Sequence, residues 1–165
     1  MTESAAPGEL ERVREFINTW WIPNDTRVPE DRLTASPEVV AFRDDLRAAL
    51  GQERPGAVQA WLRRHPLRAE VSQDPGEPAL VLRPEGESPI GPLLAVVAAE
   101  IGTGRWARLK ACPDCQWVFY DHSRNASRRW CAMAPAGSGG RGCGSIAKVR
   151  AYRRRRAPAE TSDES

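Results

Sequence analysis

The chain has 165 residues, 41% apolar and 28% charged, a balance that fits a folded globular protein and excludes a largely disordered or membrane-embedded one. Its longest apolar run, residues 93–99, falls far short of the roughly 18–20 residues of a spanning helix. The formal net charge of +2 conceals a split, because residues 1–100 carry 11 Lys+Arg against 17 Asp+Glu, whereas residues 101–165 carry 13 against 5.

A basic half beside an acidic half points to a region that attracts a polyanion, with a solvated basic tail as the plainer alternative. The N-terminal residues are acidic and polar and lack the layout of a secretory signal, so a cytoplasmic protein with reduced thiols is expected. No Gly-rich phosphate loop or nucleophile motif is present and the scattered carboxylates have no recognisable acid/base spacing, so the chain does not read as an enzyme.

Leu10, Val13, Phe16, Ile17, Trp20 and Trp21 recur at helical spacing, which predicts an amphipathic helix over 9–21, stopped before Pro23. Its aromatic stripe reads as core packing. Asn18 lies close to the apolar sector and needs partners if buried; it is either a structural amide or a ligand-binding residue. Residues 22–36, with two prolines and an Asn-Asp pair, read as loop. Ser36 as N-cap and Pro37 in the first turn open a second helix with Val39, Val40, Phe42, Leu46 and Leu50 on its apolar side, closed by Gly51.

A third helix over 56–65 carries Val58, Trp61 and Leu62 and ends before Pro66, with His65 as a capping group at its end. Strands over 67–71 and 79–83 flank an Asp-Pro-Gly turn and predict a small hairpin. Ser88 and Pro89 are expected to open a fourth, deeply buried helix with Ile90, Leu93, Leu94, Val96, Val97 and Ile101, ending at Gly102 or Gly104. Past residue 104 the composition turns basic and aromatic. The expected organisation is an N-terminal domain over 1–104, a small module over 105–157 and a disordered tail over 158–165.

All four cysteines lie in that module, at Cys112, Cys115, Cys131 and Cys143, a C-x2-C-x15-C-x11-C pattern. A C-x2-C knuckle brings two thiolates to one ion, and two more complete the closed tetrahedron of a structural zinc site. An iron–sulfur site or a redox pair are the alternatives. His122 is the rival ligand; following a predicted strand over 117–120, it reads as a polar surface residue. Asp121, Ser123 and Asn125 are turn and cap formers, so a helical turn is expected to carry Arg124, Arg128 and Arg129 into solvent while Trp130 packs beside the metal. After Cys143 the spacing predicts a basic helix with Lys148, Arg150, Tyr152, Arg153, Arg154, Arg155 and Arg156, suited to displacing counterions from a phosphate backbone.

The pattern C-x2-C-x-W-x-F-x-D-x-S-R-N-x-S-R-R-W-C, followed by C-G and A-K-x-R-x-Y-R-R-R, resembles the CGNR-type zinc finger of bacterial stress-induced transcription regulators. The phrase EFINTWW at 15–21 is similar to the opening helix of the ABATE domain that precedes the finger in that family. This resemblance implies one structural zinc ion on the four cysteines, DNA binding by the finger and a small-molecule effector at the N-terminal domain. Two departures stand out. The family's Asn and Arg after Cys-Gly are Ser145 and Ile146, and residues 135–142 lengthen the loop before the fourth cysteine, with Arg141 inside it as a substitute cation. Eight extra residues cost well under about 2 kcal/mol of loop entropy, against roughly 10–16 kcal/mol from zinc, so the metal site is expected to survive.

The sequence thus predicts a mostly helical α+β protein: a helical N-terminal domain with a small hairpin, then a four-cysteine finger with a knuckle, a short strand and a basic C-terminal helix. DNA in the nucleoid is the expected partner. A zinc-dependent protein- or RNA-interaction module is the alternative, no membrane partner is expected, and homo-oligomerisation stays open.

Overall fold

The computed structural model describes residues 5–131 and 142–156, apart from the side chains of Arg154 and Arg156. The expected tail at 158–165, Arg141 and the rest of the insertion before Gly142 lie outside the described residues.

Leu10, Val13 and Ile17 stand at i, i+3 and i+7 and are fully buried on one side of α1 (Leu10–Ile17). The helix stops four residues short of the predicted end. Thr19 Oγ1 donates to Phe16 O at 2.8 Å, closing the last turn. Trp20–Trp21 then leave as β1, which pairs antiparallel with β2 (Glu30–Asp31). A strand partner further along the chain thus overrides helical spacing at the two tryptophans, and the expected 22–36 loop contains a short strand.

α2 (Pro37–Ala48) follows an extended Ser36 as predicted, and Gly51, at a φ of 74°, ends the turn after it. α3 (Gly56–Arg64) ends at His65, which occupies the C-cap position, stacks on Trp61 and lies 3.3 Å from Glu38 Oε1. The Trp61 indole meets the Phe42 ring edge-on at 5.0 Å and donates to Asp45 Oδ2 at 2.8 Å, so both its apolar body and its N–H are satisfied.

The hairpin pairs β3 (Leu67–Val71) with β4 (Leu80–Pro84), from Leu67 opposite Pro84 to Val71 opposite Leu80. β4 lies on α4 (Gly91–Gly102). α4 starts later than the sequence suggests, because the Ser88 hydroxyl closes a turn onto the Ile90 amide, 3.2 Å away, instead of capping a helix. Gly91 permits the close approach: a Cβ there would lie 2.8 Å from Pro84 Cβ.

After Gly104, at a φ of 74°, a 3-10 turn (Trp106–Arg108) leads into β5 (Leu109–Ala111), a strand that the sequence signals do not predict. It pairs antiparallel with β6 (Val118–Tyr120). Trp106, Leu109, Val118 and Tyr120 join the core that holds Leu10, Phe42, Trp61 and Leu94. Packing is continuous through residues 103–110. Strand alternation sends Phe119 the opposite way, into a second cluster with Cys112, Cys115 and Cys143. Among the described residues, no helix is long and apolar enough to cross a membrane.

Candidate metal centre

β5 delivers Cys112 into a tight turn. Gln116 N–H donates to Cys112 O, and Cys112 N–H to Trp117 O, both at 2.9 Å. Gln116 adopts a φ of 61°, an uncommon conformation for a side-chain-bearing residue. Arg47 of α2 holds it there by donating to Gln116 O and, at 3.1 Å, to Ile17 O. Burial is the main reason the Arg47 pKa falls to about 10, with the neighbouring Arg43 charge adding to it. Cys131 lies in the loop that follows β6, and Cys143 is the first residue of α5 (Cys143–Arg156).

The four sulfurs lie within 4.8 Å of one another. The Cys115 and Cys131 sulfurs are 3.5 Å apart, and those of Cys131 and Cys143 are 3.7 Å apart. A zinc–sulfur distance of roughly 2.3 Å gives a tetrahedron with edges of about 3.8 Å, so the spacing fits one ion. None of the cysteines forms a disulfide. Thiols this close cannot all ionise unaided: hydrogen bonds from Cys115 and Cys131 lower the Cys112 pKa, while contact with Cys112 raises those of Cys115 and Cys131. A divalent cation removes that conflict. The site is one for a single structural zinc ion, whose contribution is to cross-link the knuckle, the 121–131 loop and α5.

The stretch predicted as a helical turn is a loop wound round Asp121, whose side chain is fully buried. Its Oδ1 accepts from Ser123 N–H at 2.9 Å and Ser123 Oγ at 2.6 Å; its Oδ2 accepts from Arg128 N–H at 2.8 Å and Lys110 Nζ at 2.7 Å. Burial alone would raise this carboxyl's pKa, but the bonds from Lys110, Ser123 and Arg128 outweigh it and hold the pKa at about 2. A carboxylate collecting local amides competes with a helix for the same backbone. Lys110 also donates to Ala126 O, and Arg108 Nη1 to Asp121 O at 2.9 Å and Ser123 O at 2.8 Å. Arg128, expected to point into solvent, turns inward, donating to Trp130 O at 2.9 Å and to Cys131 O, with its guanidinium 5.1 Å from the Phe119 ring centre. Trp130 packs against the metal cluster as predicted.

The remaining predicted residues divide by exposure. Arg124 and Arg129 are exposed on the 121–131 loop, and Lys148, Arg150, Tyr152, Arg153 and Arg155 are exposed on α5, which also contains Arg154 and Arg156. Arg150 is tied down, with Nη1 2.8 Å from Asp114 Oδ1. Ser145 and Ile146 fall in the first turn of α5, their amides donating to Gly142 O. His122 is exposed and bonds Ala5 O at 2.7 Å, apart from the cysteine quartet. Asn18 is buried and pairs with β6 like a strand neighbour: Nδ2 donates to Val118 O at 2.9 Å, and Val118 N–H donates to Oδ1 at 2.7 Å. It also borders a cavity of about 440 Å³ with Arg14, Thr19, Trp21, Arg32 and Trp117.

Sequence reasoning missed Lys110 and Arg108 as partners of the 121–131 loop. The available signal was the Asp-x-Ser turn at Asp121, which needs cations nearby once it is buried. No curated protein matches the chain. Residues 108–156, which span the knuckle, the Asp121 loop and α5, match the family model of the CGNR zinc finger.

Proposed function

We propose that the protein is a DNA-binding transcription regulator of the bacterial cytoplasm, in which the zinc-held finger presents cations to the phosphate backbone. The observation that carries this reading is the set of Arg124, Arg129, Lys148, Arg153 and Arg155: all are exposed, and none pairs with a carboxylate among the described residues. Residues 108–156 hold 12 Lys+Arg against 2 Asp+Glu. Those two, Asp114 and Asp121, are buried against Arg150 and Lys110 and leave the outer cations unopposed. The Ser145-Ile146 departure removes one arginine of the family signature, so backbone contacts carry a larger share of binding than base contacts do. The N-terminal region, with its ABATE-like opening helix, is the sensor in this reading, and the protein does no chemistry. A small effector seated in the Asn18 cavity would touch Trp117, two residues from the ligand Cys115.

Fluorescence anisotropy of the zinc-loaded protein on duplex DNA, titrated across salt, tests the reading. Binding that weakens steeply with salt is expected, with a log–log slope of about −0.9 per phosphate contact. Absence of duplex binding at low salt overturns it, and binding confined to RNA or to an acidic protein supports the interaction-module alternative.

A further inference from the structure

Residues 22–27 carry no motif, yet they lie against the metal centre. Ile22 N–H donates to Cys115 O at 2.8 Å, and Arg27 Nη2 donates to Asp114 O at 3.1 Å. Between them, Asn24 Nδ2 lies 3.2 Å from Cys143 Sγ. The other end of the amide fixes its orientation: Arg27 Nη1 donates to Asn24 Oδ1 at 3.3 Å, so the carbonyl faces the guanidinium and the NH2 group faces the sulfur.

Sulfur chemistry gives this contact a purpose. Four thiolates round one zinc leave the centre dianionic, in a cluster otherwise lined by Phe119, Trp117 and Trp130, and N–H groups aimed at sulfur offset that charge. The knuckle and the loop after β6 supply their own: the backbone amides of Cys115 and Cys131 bear on Cys112, and that of Trp117 bears on Cys115. Cys143 arrives separately, beyond the insertion. Among the described residues, the side-chain amide that reaches its sulfur is Asn24, from 119 positions earlier in the chain.

We propose that residues 22–27 complete the zinc centre, with Asn24 as a positioning residue for the Cys143 thiolate, so that the metal site belongs jointly to the N-terminal region and the finger. Asp114 extends the link. Its buried carboxylate accepts Arg150 from α5 at 2.8 Å and lies 3.6 Å from Arg27, joining loop, knuckle and basic helix. The proposal rests on the zinc site and is independent of what the finger binds.

Zinc release from the full-length protein to a chromophoric chelator tests it. Asn24→Ala is expected to release zinc at least about fivefold faster, close to the range for removing a hydrogen-bond partner of a metal ligand. Asn24→Asp, nearly the same shape but with an acceptor where the donor stood, should be faster still. Asn24 is exposed, so neither change opens the core. In cobalt-substituted protein, Asn24→Ala should also shift the thiolate-to-cobalt charge-transfer band, which a purely packing role leaves unmoved. Release less than about fivefold faster in Asn24→Ala, or an unmoved band, overturns the proposal whether or not DNA is bound.

Discussion

Val118 and Tyr120 face a core of buried side chains that includes Leu10, Phe42, Trp61, Leu94 and Trp106, while Phe119, between them in the same strand, faces the cysteine cluster. The first cluster is assembled from four helices and one face of the β5–β6 pair and needs only the removal of apolar surface from water. The second contains one fully buried aromatic ring among its cysteines, with two tryptophans partly covered at its edge, too little to hold a fold together without a cross-link. One strand thus separates a region stabilised by burial from a region stabilised by coordination, and the two should fail under different insults.

Cys131→Ser makes the largest break. Structural zinc contributes roughly 10–16 kcal/mol to a small finger at neutral pH, so losing one of four ligands should abolish zinc retention and melt α5 and the 121–131 loop. The signal of α1 to α4 should persist. Chelator-detected zinc content follows the first event, and far-ultraviolet circular dichroism follows the second; simultaneous loss of both would show that the main core depends on zinc after all. Trp61→Ala is the converse. Deleting a fully buried indole that also bonds Asp45 should cost about 3–5 kcal/mol of global stability in chemical denaturation, with zinc affinity unchanged under native conditions.

Asp121→Asn acts on a smaller scale and carries a pH signature. The folded carboxyl is held at about 2, below its ordinary 3.8. A depressed pKa means the ionised form is bound more favourably in the folded state, so the contribution is fully present above the unfolded value and disappears as pH falls through the folded one. The stability gap between wild type and Asp121→Asn should be about 1–2 kcal/mol at neutral pH. It should hold steady down to about pH 4 and close between about pH 4 and pH 2. A gap that stays constant to about pH 2 would mean the carboxylate charge is not what organises the loop.

These tests also mark where the sequence was informative. α2, α3 and the hairpin follow from signals within a few residues: Ser36-Pro37, the 56–65 apolar spacing and Asp-Pro-Gly. The cysteine quartet and α5 are equally local, because ligand spacing and charge are written in order. What was not legible depends on partners far away. α1 ends at Ile17 because Asn18 pairs with Val118, 100 positions on. Trp20 and Trp21 become a strand because Asp31 and Glu30 face them. Arg128 has the composition of a solvent-facing cation, yet the carbonyls of Trp130 and Cys131 and the face of Phe119 draw it inward. The Asn24 contact with Cys143 has no local signal at all.

The smallest effect on stability should come from the outer cations, and that makes it the sharpest test of the division between scaffold and surface. Arg153 and Arg155 are exposed and lack carboxylate partners among the described residues, so Arg153→Ala with Arg155→Ala should change stability by less than about 0.5 kcal/mol and leave zinc release untouched. In the proposed role each displaces a counterion from the phosphate backbone, and the double variant should bind every duplex more weakly and flatten the salt slope by about 0.9 for each phosphate no longer neutralised. Arg150→Ala is the internal contrast. Its charge lies on the same helix but is bonded to Asp114, so it should move zinc release more than the double variant does and the salt slope less. If Arg150→Ala and the double variant proved alike in both measurements, α5 would be a uniformly charged rod and not a helix with one cation turned to the metal centre and the others to a partner.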